Sequence, residues 1–138
     1  MTYKLTGPIA LAVLICALTV LAQTPTPTIA SMAPVVVQTV PQAGSTNVAP
    51  GITEIRVTFS KEMTDQSWSW STAWLNSTPE AVGKPQYESD RKTCLLKVKL
   101  EPGKTYGYWI NSPKFSGFKD AQSHTAIPYL LVFQTRQK

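Results

Sequence analysis

After residue 34 the chain alternates apolar and polar positions with period two, and no stretch repeats apolar residues at helical spacing. In EIRVTFS, residues 54–60, Ile55, Val57 and Phe59 fall on one side and Arg56 and Thr58 on the other. TCLLKVKL, residues 93–100, sets Cys94, Leu96, Val98 and Leu100 against Leu95, Lys97 and Lys99. Similar runs occupy residues 35–40 (VVVQTV), 67–74 (SWSWSTAW), 104–111 (KTYGYWIN) and 128–135 (PYLLVFQT), with a weaker one at 85–89 (PQYES). Turn-forming clusters separate them, notably PQAGSTNVAPG after the first run and Pro102-Gly103 before the sixth. About seven short strands with no helix between them predict an all-β antiparallel sandwich.

The aromatic positions refine that picture. In an extended strand Trp68, Trp70 and Trp74 share one face and Ser67, Ser69 and Ser71 the other, so the indoles are expected inward, Trp70 as the buried indole between the sheets. Each aromatic can bury roughly 150–250 Å², a large share of a small core. Trp68 and Trp74 are expected nearer the ends of the sandwich, where either could touch a ligand. On the run at 104–111, Tyr106, Tyr108 and Ile110 form the inward set, leaving Thr105, Gly107, Trp109 and Asn111 outward. Trp109 is then either a platform for a sugar ring or partner side chain, or is covered by the SPKFSGFKD loop with its Phe115 and Phe118. Leu100, the Pro102-Gly103 turn and Tyr106 suit a tyrosine corner, in which the phenol bonds back to upstream backbone and favours two sheets over a closed barrel.

The N-terminal quarter reads differently. PIALAVLICALTVLA, residues 8–22, follows a single cation, Lys4, and ends in small residues suited to cleavage before Gln23. Residues 1–22 are therefore expected to be a signal peptide. Residues 5–22 are also just long enough for an uncleaved membrane anchor, the only membrane contact foreseen. QTPTPTIASMAP, residues 23–34, has the Thr/Pro alternation of an extended linker. The folded domain is expected over residues 35–138, in a secreted, periplasmic or cell-surface setting.

Charge and cysteine usage narrow the chemistry. The full chain of 138 residues carries a formal charge of +5. It has no block of like charges of the kind that marks a nucleic-acid surface, so none is expected to bind. Beyond the signal only Cys94 and one histidine, His124, remain, so packing rather than a disulfide must hold the domain. Cys94 lies on the apolar face of its strand, where an inert buried thiol is expected. One His and one strand Cys make no zinc site. No serine near His124 sits in a nucleophile turn, no pair of carboxylates can be placed for acid–base work, and Asp65 and Asp120 are weak grounds for calcium. No catalytic residue, metal or cofactor is expected.

Several segments together resemble the bacterial Ig-like domain of the S-layer protein SbsA type. The pattern P-x-x-G-x-x-x-V is met by Pro41, Gly44 and Val48, and I-x-V-x-F-S-x-x-M by Ile55, Val57, Phe59, Ser60 and Met63. L-x-P-G-x-x-Y falls on Leu100, Pro102, Gly103 and Tyr106, and the closing F-x-T on Phe133 and Thr135. The resemblance implies an Ig-like sandwich serving as a non-catalytic spacer, adhesion or interaction module of exported bacterial proteins. It brings no catalytic residues. Family members often place a Gly-containing turn after an Asp before the last strand, whereas Asp120 here is followed by AQSHTAIP. An envelope or extracellular protein is the expected partner. A carbohydrate-binding module using Trp109, Trp68 and Trp74 is the alternative.

Overall fold

A computed structural model describes residues 2, 7 and 19–138, so the body of the expected signal segment, with Lys4 and Cys16, lies outside the described residues. Among the described residues eight strands form: β1 (Val36–Val40), β2 (Gly51–Phe59), β3 (Trp70–Thr72), β4 (Glu80–Ala81), β5 (Gln86–Tyr87), β6 (Thr93–Leu100), β7 (Thr105–Ile110) and β8 (Tyr129–Gln134). They make two antiparallel sheets. One runs β1-β2-β6-β4 with β5 also on β6, and the other runs β3-β7-β8.

The period-two alternation decides which side of each strand meets the core. In the first sheet, register pairs Ile55 with Leu96 and Val57 with Cys94, all four buried. In the second it pairs Tyr106 with Phe133 and Tyr108 with Leu131. Between them Phe59 meets Phe118 with ring centres 5.0 Å apart, and Tyr106 meets Phe133 at 5.7 Å. On the solvent side of the first sheet, Arg56 is paired with both Glu54 and Glu88.

The residues that carried the family pattern hold the ends of this frame. Ser60 and Val35 bond reciprocally: the Ser60 N–H donates to Val35 O at 2.9 Å, and the Val35 N–H donates to Ser60 Oγ at 3.1 Å. At the other end the Glu101 N–H donates to the Tyr106 hydroxyl at 2.8 Å. Thr135 Oγ1 donates to Glu101 O at 2.6 Å and accepts the Lys104 N–H at 2.9 Å. That threonine thus closes the turn around Gly103, whose φ of +62° favours glycine. After β1 the chain crosses to the second sheet and runs parallel beside β8, bridging Val48 to Thr135.

Three expectations need correcting. The run at 67–74 is a strand only over Trp70–Thr72. Ser77 Oγ accepts the N–H groups of Ala73 and Trp74 and donates to Gly107 O at 2.8 Å, so the chain curls and the alternation stops before Trp74. Asn111 is not outward but fully buried, because a φ of 53° turns it off the strand. Its amide nitrogen donates to Phe118 O and Ala126 O, and its carbonyl accepts the Phe118 N–H, which organises the whole excursion between β7 and β8. Finally, β4 was not foreseen. It is two residues long, too short for any periodicity.

Candidate functional site

Three places gather side chains that could act on something outside the fold. The first is the outer face of the three-stranded sheet. Trp109 stands there opposite Ser71 and Leu130, half-buried. Past the curl at Ser77, the edge of the Trp74 ring packs against Gly107, and Trp74 keeps 42% of its surface exposed. Gly107 is what allows this, since a β-carbon there would come within 2.3 Å of the Trp74 ring. Trp74 is therefore not on the face that carries Trp70. Phe118 does not cover Trp109 either. It enters the core against Phe59 and Trp70, while Phe115 stays 51% exposed.

The second place is a groove of about 590 Å³ between β3 and the broken edge formed by β4 and β5. Trp68, Trp70 and Tyr108 supply aromatic surface, and Pro79, Pro85 and Leu96 lie among the other residues lining it. None of the lining residues is charged. Trp70 is edge-on to Tyr108 at 5.3 Å and to Phe118 at 5.9 Å, but it is only partly buried rather than the enclosed indole expected: it packs against the core on one side and lines the groove on the other. Trp68 leans on Tyr87 at 6.5 Å, and the Tyr87 hydroxyl donates to Ser67 O at 2.7 Å, which fixes that end of the groove.

Two sealed polar atoms of groove-lining residues, Trp70 Nε1 and Ser71 Oγ, lack a hydrogen-bond partner among the described residues, and the Tyr108 hydroxyl is a third polar group there. Tyr108 is 4% exposed, and burial pushes its hydroxyl up to about 12, so it stays protonated. Burial is the one cause of that shift, with no hydrogen bond beside it, and Tyr108 is among the residues lining the groove. Burial pushes the Cys94 thiol up to about 12, and the Trp70 N–H opposes this only in part. That contact falls short of hydrogen-bond geometry. Cys94 is fully buried and free.

The third place is a charged corner, and sequence reasoning did not find it. Asp120 Oδ2 takes Lys61 Nζ at 2.6 Å and His124 Nδ1 at 2.8 Å, with the carboxylate wholly enclosed. Oδ1 accepts the N–H groups of Gln122 and His124, so Asp120 itself closes the turn at the place where the sequence departs from the family's Gly-containing turn. Burial works to raise the Asp120 carboxyl, but Lys61, the His124 ring and the His124 N–H together pull it down to about 2. Lys61 Nζ also donates to Ala30 O at 2.9 Å and to Met32 O at 3.0 Å. The corner thus ties residues 30–32 to the sandwich. The sequence signal for it was a lone Asp between Phe118 and two Asx-turn donors, legible only with a partner lysine 59 positions away in view.

His124 therefore does meet an acid, but no hydrogen bond links it to the hydroxyl of Ser116 or Ser123. Among the described residues no group of three His, Cys, Asp or Glu side chains is placed to hold a metal ion. Residues 30–135 match the family model described as a bacterial Ig-like domain. No curated protein matches the chain.

Proposed function

The chain belongs to the bacterial Ig-like domain family, and from that premise we propose that it is an exported, non-catalytic module with a structural, spacer or protein-interaction role at the bacterial cell envelope. Domains of this family are generally non-catalytic and typically sit on surface or exported proteins. The observation that carries the reading is the charged corner. Lys61, itself locked by Asp120, grips the linker carbonyls at Ala30 and Met32, so the Thr/Pro segment leaves the sandwich from a fixed point. A spacer needs such a joint, and a freely swivelling linker does not supply it. Fractionation of bacteria producing the tagged chain tests the proposal. Recovery outside the cytoplasm, lost when residues 5–22 are deleted, is the expected result. A chain that stays cytoplasmic in both forms refutes it.

A second reading has one observation in its favour. Trp109 and the exposed Trp74 stand on the same outer face of the three-stranded sheet, with Gly107 letting the edge of the Trp74 ring pack close. Two indoles on the outward face of a sheet, one of them largely exposed, suit stacking on sugar rings. Retardation in gels containing soluble polysaccharide, abolished by Trp109→Ala, would select this reading. Unchanged mobility with every polysaccharide would remove it.

A further inference from the structure

We propose that the groove beside β3 receives the Thr/Pro linker of a second copy of this chain. The inference deepens the interaction role proposed above and rests on it only for the two copies meeting outside the cell. A proline-rich segment in the extended left-handed conformation offers ring faces to aromatic side chains and backbone carbonyls to nearby donors. The groove supplies both. Trp68, Trp70 and Tyr108 give it aromatic surface, Pro79 and Pro85 add apolar surface, and its lining residues carry no charge. The Tyr108 hydroxyl is a protonated donor with no partner among the described residues, on a residue 4% exposed.

The occupant is argued from the chain itself. Residues 23–28 read QTPTPT, with no charge and every residue exposed. With three residues per turn, Pro25 and Pro27 project their rings on two adjacent sides of such a segment, as a two-walled groove requires. The linker of the same copy does not lie there. After a tight turn from Thr28 to Met32 and the Lys61 grip, residues 23–28 are all exposed and none of them lines the groove. A contact of linker on groove joins two different surfaces, so repetition builds an open head-to-tail row rather than a closed pair.

Disulfide trapping between full-length chains tests this, in a Cys16→Ser background with Cys94 left buried. One chain carries Thr26→Cys in the linker, the other Thr72→Cys on the groove rim. Mixed and oxidised, they are expected to give the crossed dimer several-fold above a control pairing Thr26→Cys with Lys97→Cys on the opposite sheet. Pro25→Ala with Pro27→Ala, which cannot disturb the folded domain, should reduce the yield. Tyr108→Phe, which keeps the ring and loses the donor, should reduce it too. A yield equal to the control overturns the proposal. So does a Thr26→Cys/Thr72→Cys chain that links only within itself at every dilution, or a neutral oligosaccharide that displaces the linker by occupying the groove. Because trapping uses purified chains, its failure leaves the export result untouched, and the two can be told apart.

Discussion

Gly107 and Gly117 are both crowded, but by neighbours of different stiffness. A β-carbon at Gly107 would meet the far edge of the Trp74 ring, which can swing out, whereas one at Gly117 would lie 2.2 Å from the backbone oxygen of Trp68. Gly107→Ala is therefore expected to cost under about 1 kcal/mol while shifting Trp emission to the red as Trp74 moves into water. Gly117→Ala should cost about 3 kcal/mol in urea unfolding, since main chain must give way. Equal losses at both positions would show that the Trp74 packing is stiffer than described. Cys94 makes a second test at this scale. With its thiol held up at about 12 and fully buried, peptide mapping should find it unmodified by a thiol reagent at pH 8 and modified in urea. The alternation alone made Cys94 and Tyr106 legible. Asn111 was not, because a single residue of positive φ reverses the side that counting by twos assigns.

Among the elements, the turn closed by Asp120 is where pH should be felt. Its carboxyl is ordinary near 3.8 when unfolded and about 2 when folded, so the native state favours the ionised form. That stability is whole above pH 3.8 and drains away as pH falls toward 2. Urea midpoints measured from pH 5 down to pH 2 should fall in the parent chain and fall less steeply in Asp120→Asn. At neutral pH that variant should lose about 2–3 kcal/mol, below the usual 3–5 for fully buried pairs because Lys61 can turn toward water. A parent and variant with identical pH profiles would mean Asp120 is not the titrating group. β2, β6, β7 and β8 were readable because each is long enough to repeat its pattern. β3 ends where Ser77 draws the chain back, and β4 and β5, at two residues each, exist as strands through their ladder to β6. The groove inherits its shape from those interruptions, and no count of apolar positions contains it.

At the scale of the whole molecule, the chain enters and leaves at opposite ends of the sandwich. Val36 pairs with Phe59 at one end, while Gln134 pairs with Thr105 beside the turn that follows Leu100 at the other. The order of layers followed from strand count and the corner at Tyr106. The placement of the entry point depended on Lys61 reaching two carbonyls about thirty residues earlier, a contact that local pattern does not encode. Lys61→Met should free the linker base without unfolding the sheets. The expected readout is faster proteolysis within residues 23–34, with the domain fragment intact. Cleavage rates matching the parent would show the grip to be dispensable.

The parallel run of residues 44–48 beside β8 has a mechanical consequence. If the domain is tugged from residue 34 and from residue 136 along its long axis, that run and β8 slide in opposite senses. The four main-chain bonds joining Gly44 to Val132, Ser45 and Val48 to Gln134, and Val48 to Arg136 then bear load side by side instead of peeling one after another. Stretched between two anchors, such a body should straighten its slack linker first and give way itself only at much higher tension.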